Sequence, residues 1–156
     1  MAVALEDFSL IIVDIINPKV VRKFEGHDNR ITDVSFSSDG LWLLTSAMDC
    51  TVKVWDVPSG KLVDHFKFPS AVTSLSMSPR NDFLATSHVD DLGIYLWTNV
   101  TLYEHVHLRP LPSDYEPRMI QMPMTLRKEG EDDDDDQEMK EEKKDELEDD
   151  EFKSPE

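Results

Sequence analysis

The chain has 156 residues, with 16 Lys and Arg against 33 Asp and Glu and a formal net charge of −17. That length holds one ordinary domain and a tail, and the lack of a basic, phosphate-seeking composition argues against direct nucleic-acid binding as the main role. Cys50 is the single cysteine, which excludes an internal disulfide framework and any multi-cysteine zinc site and fits a reducing compartment such as cytosol or nucleus.

The opening stretch MAVALED has no basic region, which argues against a secretory signal. The run FSLIIVDII, Phe8 to Ile16, is far shorter than the roughly 20 apolar residues of a membrane helix, and Asp14 interrupts it. Further on, ITDVSFS alternates, with Ile31, Val34 and Phe36 as its apolar members, and SSDG (Ser37 to Gly40) turns the chain. LWLLTSAM follows as a nearly continuous apolar run, the pattern of a strand buried on both faces. TVKVWDV alternates again, with Val52 and Val54 pointing one way and Lys53 and Trp55 the other. PSG (Pro58 to Gly60) then turns the chain into KLVDHF. Four short strands joined by tight turns are predicted, with no helical periodicity in the first hundred residues.

The chain also matches itself. VWDVPSGKLVDHF (Val54 to Phe66) overlays IVDIINPKVVRKF (Ile12 to Phe24) at an offset of 42. ITDVSFSSDGLWLLTSAMD (Ile31 to Asp49) overlays VTSLSMSPRNDFLATSHVD (Val72 to Asp90) at an offset of 41, and one extra residue near Leu92-Gly93 brings Trp97 under Trp55. A period of this length is that of a four-stranded propeller blade. The expected architecture is therefore all-β, a partial propeller of about two blades plus one strand of a preceding blade. Residues 1–24 end the preceding blade, 25–66 and 67–102 are the two repeats, 103–128 form a proline-containing extended segment, and 129–156 form an acidic disordered linker or tail. Closed rings have about 4 to 8 blades, so the chain is expected to be an excerpt of a larger propeller whose missing blades are its first partners.

Gly26-His27 and Trp55-Asp56 bracket the first full repeat, and these dipeptides resemble the signature of the WD-repeat family. The resemblance implies a hydrogen-bonded structural tetrad of His27, Thr45, Asp49 and Trp55. Its chemistry is self-consistent, because a carboxylate orients the imidazole and the hydroxyl bridges it to the indole N–H. In the second repeat Thr86, Asp90 and Trp97 match, while Phe68-Pro69 stands where Gly-His is expected and Thr98 follows the tryptophan. A partial tetrad is expected there. A hydroxyl, an imidazole and a carboxylate also suggest a nucleophile triad, yet that reading explains neither the tryptophan, the glycine nor the recurrence. No catalytic residue, metal site or cofactor is assigned.

Beyond the repeats, YEHVHLRPLPSDYEPRMIQMPM (Tyr103 to Met124) is proline-rich. His105 and His107 share one face of an extended strand, a metal-ligand spacing without a further ligand in sequence reach. Met119, Met122 and Met124 are expected to cover a neighbouring apolar surface. From Glu129 to Glu156 there are 17 acidic and 4 basic residues, a net of −13 that leaves −4 for the rest of the chain. This low-complexity tail cannot bury enough apolar area to order itself, and its EDDDDD run reads as solvated linker before cation or basic-protein binding.

A finer resemblance lies in LTSAMDCTVKVWDVPSGKLVD, in FLATSHVDDLGIYLW (Phe83 to Trp97) with its inserted Leu-Gly, and in LRPLPSDYEP. Together they are similar to the WD-repeat proteins associated with the U3 small nucleolar ribonucleoprotein. That resemblance implies a non-enzymatic scaffold of the small-subunit processome in the nucleolus, acting in pre-ribosomal RNA processing. It implies contacts with other processome proteins, indirect contact with U3 ribonucleoprotein and pre-rRNA, and no membrane. The competing reading is a generic WD-repeat adaptor for protein or peptide partners outside the nucleolus; a third is chaperoning of basic proteins by the tail.

Overall fold

In the computed structural model, residues 1–103, 109–112 and 115–123 are described. Eleven strands occur in chain order among them: β1 (Ala2–Ala4), β2 (Leu10–Asp14), β3 (Lys19–Phe24), β4 (Ile31–Phe36), β5 (Trp42–Ala47), β6 (Thr51–Asp56), β7 (Lys61–Lys67), β8 (Val72–Met77), β9 (Phe83–His88), β10 (Ile94–Thr98) and β11 (Arg118–Met119). One 3-10 turn, Val100–Leu102, follows β10. The strands form three sheets, ordered β1-β2-β3, β4-β5-β6-β7-β11 and β8-β9-β10. Every neighbouring pair is antiparallel except β11 with β7, which is parallel.

The repeat sets the turns. Asp56 opens the β6–β7 turn, its carboxylate accepting from Ser59 N at 2.9 Å and its carbonyl from Gly60 N at 2.7 Å. Gly60 sits at φ +73°, a conformation that costs glycine nothing and any other residue strain. Lys61 then pairs back on Asp56, which fixes the register of the hairpin.

Alternation decides which neighbour each strand meets. On β5, Leu43 joins Leu10, Phe24, Ile31 and Trp55 in a core between the first two sheets. Its neighbour Leu44 faces the other way and joins Val52, Phe68, Val72 and Leu75 in a core between the second and third. Each buried leucine contributes about 2 kcal/mol of transfer free energy. The central sheet is thus buried on both faces, as its nearly continuous apolar run LWLLTSAM predicts.

The chain is a partial β-propeller of stacked sheets, and two details depart from the sequence reading. Residues 1–24 supply three strands of the preceding blade where one is expected. Ala2–Ala4 is short enough to escape notice, but a tight turn with Phe8 at φ 64° folds it back onto Leu10–Ile12. The second departure lies in the extended segment after the last repeat, whose Arg118 and Met119 pair in parallel with Phe66 and Lys67 on the outer edge of β7. Backbone bonds from Leu111 N to Leu62 O (2.8 Å) and Ile120 N to Lys67 O (2.9 Å) prolong that contact. Met122 packs against the second core, whereas Met119 is exposed. Met124, His105, His107 and the acidic tail from Glu129 lie outside the described residues.

Candidate functional site

His27 reaches the first core from the loop between β3 and β4, and Gly26 before it has φ +133°. A Cβ on Gly26 would sit 3.8 Å from the Trp55 ring, so the difficulty of replacing it is backbone strain rather than space. Thr45 on β5 and Trp55 on β6 project from the face that also carries Leu43. Asp49 stands in the turn between those two strands.

These four side chains meet. His27 Nδ1 lies 2.9 Å from Asp49 Oδ2, His27 Nε2 lies 2.7 Å from Thr45 Oγ1, and Trp55 Nε1 lies 2.9 Å from the same hydroxyl. An indole N–H only donates and a carboxylate only accepts, which orders the chain. Trp55 donates to Thr45, Thr45 donates to His27 Nε2, and His27 Nδ1–H donates to Asp49. Burial would push the Asp49 carboxyl up, but the bonds from His27 and Thr51 outweigh it and hold it well below the usual carboxylate range. Thr51 supplies two of them, from its hydroxyl at 2.6 Å and its N–H at 2.9 Å. Thr51 is a fifth member that sequence reasoning missed; its position two residues after Asp49, the spacing of an Asx-type turn, is the signal that marks it. Thr45 is 1% exposed and its oxygen is engaged by both neighbours, so it is unavailable as a nucleophile.

The second repeat is assembled differently. Trp97 Nε1 donates to Thr86 Oγ1 at 2.8 Å, so these two predicted members do meet. Asp90 does not join them: it is exposed, in the left-handed region at φ 59°. Its repeat has no imidazole at the Gly-His position for a carboxylate to orient. Instead, His88 Nε2 lies 3.1 Å from Thr86 Oγ1, and His88 Nδ1 lies 3.3 Å from the Ser70 carbonyl. Phe68 packs on His88 and Trp97, with ring centroids 5.1 and 5.5 Å away. An imidazole thus reaches the same hydroxyl from a different place in the chain. Thr86 and His88 are two apart on one strand, hence on one face, and this period is the signal that reveals His88.

Between the second and third sheets the inner strands are laced together. Thr32 Oγ1 donates to Val72 O at 2.6 Å and contacts Ser46 Oγ at 2.8 Å. Asp33 Oδ2 accepts from Ser74 Oγ (2.6 Å) and from Leu75 N (2.9 Å), and Ser38 N donates to Asn81 Oδ1 at 2.9 Å. Farther out, a cavity of about 550 Å³ opens between the same sheets, walled by Trp42, Leu44, Phe66, Phe68, Leu84 and Trp97. Asp64 and Arg118 are its only titratable lining groups among the described residues. Burial pushes the Asp64 carboxyl up, and Arg118 lies 4.9 Å over the Phe66 ring. This composition suits an apolar occupant and provides no nucleophile–base pair.

On the opposite face of the central sheet, Lys53 is buried and its ammonium donates to the Gly26 carbonyl. Burial and that charge push the neighbouring His65 imidazole down to about 4, and its Nε2 is buried without a hydrogen-bond partner among the described residues. Among the described residues no three His, Cys, Asp or Glu side chains converge as a metal site, and no helix is long and apolar enough to cross a membrane.

Comparison with known proteins follows the same lines. The family model for the WDR36/Utp21 second β-propeller domain matches residues 1–123. WD repeat-containing protein 36 of Homo sapiens is 54% identical over 125 residues, 80% of this chain and 14% of that protein. The U3 small nucleolar RNA-associated protein 21 homolog of Schizosaccharomyces pombe is 46% identical over 114 residues, 73% of this chain and 13% of its own length. Its Saccharomyces cerevisiae counterpart is 37% identical over 118 residues, covering 76% and 13%. The chain thus spans about one seventh of the curated relatives it matches. The β-propeller domain of Cps50 (Swd1) from Myceliophteria thermophila superposes with a TM-score of 0.52 at 23% identity, over 62% of this chain and 34% of that one, a likeness of fold alone.

Proposed function

Since the chain belongs to the WDR36/Utp21 family of second β-propeller domains, we propose that it serves as a non-catalytic scaffold segment of the small-subunit processome, acting in pre-ribosomal RNA processing and small-subunit biogenesis. The observation that carries this reading is the match over residues 1–123, together with relatives whose names tie them to U3 small nucleolar RNA. Its working surfaces are sheet faces and loops held rigid by the tetrad of the first repeat and the Thr86–His88–Trp97 network of the second, and its contacts are with proteins: other processome components and the remaining blades of the propeller. U3 ribonucleoprotein and pre-rRNA are reached through those proteins, in the nucleolus. The net charge of −17 supports protein contacts over phosphate contacts.

The roles of the polar residues follow from this reading. His27, Thr45, Asp49 and Trp55 tie the loop before β4 to the β5–β6 hairpin, while Thr86, His88 and Trp97 tie β9 to β10. Thr45 is 1% exposed and its oxygen also accepts from the Trp55 indole, which suits a structural network rather than attack on a substrate. The test is affinity purification of the tagged chain from cells. Recovery of U3 RNA with processome proteins supports the scaffold reading; recovery of other partners without U3 RNA overturns it in favour of a general WD-repeat adaptor.

A further inference from the structure

Four stretches of the chain place an acidic residue three positions after a hydroxyl: Ser46 with Asp49, Ser87 with Asp90, Thr101 with Glu104, and Ser113 with Glu116. Kinases that select acidic substrates read that offset with basic side chains that pair with the carboxylate. The fold separates the four. Ser46 is 0% exposed, and its hydroxyl meets Thr32 in the seam between the second and third sheets. Ser87 lies on β9, which is paired along both edges, and its hydroxyl meets Thr73 Oγ1 at 2.8 Å. Neither backbone can enter an enzyme cleft without unmaking a sheet. Ser113 lies outside the described residues.

Thr101 is placed differently. It is exposed in the 3-10 turn after β10, and its Oγ1 donates to Asn99 Oδ1, two residues earlier, at 2.8 Å. The backbone bond that closes the turn, Tyr103 N to Val100 O at 2.9 Å, is equally local. Opening this turn therefore disturbs no strand pairing. Thr101 and Arg118 also wall the same cavity, one from the end of the third sheet and the other from β11 on the edge of the second. The Arg118 guanidinium lies 4.9 Å over the Phe66 ring and makes no ion pair among the described residues. Burial pushes the Asp64 carboxyl up, which makes it a weak partner for that guanidinium. A phosphate brings about −1.5 to −2 charges and three acceptor oxygens, and a guanidinium binds it with two parallel hydrogen bonds.

We infer that Thr101 is a phosphorylation site for an acidophilic protein kinase, and that its phosphate pairs with Arg118 across the cavity and fastens the segment carrying β11 to the third sheet. In the transfer, Thr101 Oγ1 loses its proton to the kinase's base and attacks the γ-phosphorus of a kinase-bound nucleoside triphosphate. The new bond is Oγ1–P, the bond from that phosphorus to the leaving oxygen breaks, and a nucleoside diphosphate departs. The inference goes beyond the scaffold reading and does not depend on it.

The test is incubation of the full chain with a purified acidophilic Ser/Thr kinase and ATP, with phosphate mapped by peptide mass spectrometry. Phosphate is expected on residue 101 of the wild type and of Thr101→Ser, and not of Thr101→Val. Ser113→Ala removes the competing motif. In that background, phosphorylation is expected to slow amide exchange at Ile120, whose N–H donates to Lys67 O at 2.9 Å, about tenfold, the effect of one charge-assisted hydrogen bond. Arg118→Gln keeps the main-chain pairing with Phe66 and is expected to accept phosphate without that slowing. Absence of phosphate from Thr101 overturns the site. Unchanged exchange in the phosphorylated chain, or slowing that persists in Arg118→Gln, overturns the clamp.

Discussion

Thr45 carries two of the three bonds that hold the first tetrad together, because a hydroxyl accepts and donates at once. Thr45→Val keeps the shape but leaves the Trp55 N–H and a His27 nitrogen buried without partners. It is expected to lower stability by about 1–3 kcal/mol, seen in urea unfolding as a lower midpoint at an unchanged slope. His65 makes the fold acid-sensitive. A histidine whose folded pKa is depressed binds its proton more readily when unfolded, so the stability it provides is present above the unfolded value of about 6.5. That stability is lost as pH falls toward about 4. His65→Phe is expected to flatten the stability profile across that window, measured by urea titrations between these two pH values. Asp49 adds a second acid limb with the same sign: its folded carboxyl is held low, so its contribution is present above the ordinary carboxylate range and fades beneath it.

Each element earns its place by facing two neighbours. β5 sends Leu43 to one core and Leu44 to the other, and β4 sends Thr32 and Asp33 across to β8. Asp33→Ala removes the acceptor for both the Ser74 hydroxyl and the Leu75 amide and is expected to cost about 1–3 kcal/mol. The specific readout is hydrogen exchange at the Leu75 amide, which should accelerate relative to that of Val52 in the central sheet. The strands themselves were readable from alternation, since each apolar member of ITDVSF and TVKVWD recurs one repeat away. β1 was not, because three residues carry too little pattern to distinguish a strand from a frayed end. β11 was unreadable for another reason: its partner β7 lies some fifty residues earlier and pairs in parallel, and nothing local in EPRMIQM encodes that.

For the molecule as a whole, stacking is the organising interaction: a sheet buries its apolar face only against a neighbour. The segment carrying β11 extends this rule to the rim, where it covers the outer edge of β7 and lays Ile120 against the second core. Ile120→Asp is expected to detach that segment and expose Phe66 and the β7 edge. Faster exchange at the Ile120-equivalent amide, together with concentration-dependent association in sedimentation, checks it.

The recurrence at 41 and 42 residues already specified an all-β, blade-like architecture, because periodic turns and alternating strands are local properties repeated in register. It also placed Thr86 and Trp97 correctly relative to each other, their spacing being that of one hairpin. Which imidazole completes the second network was decided in three dimensions: a phenylalanine in place of glycine filled the usual approach, and His88 arrived from the strand itself. Similarly, the exposure of Ile94 and Leu96 is invisible in a pattern that is identical for Val52 and Val54; only the presence of a neighbouring sheet among the described residues separates a core face from an exposed one.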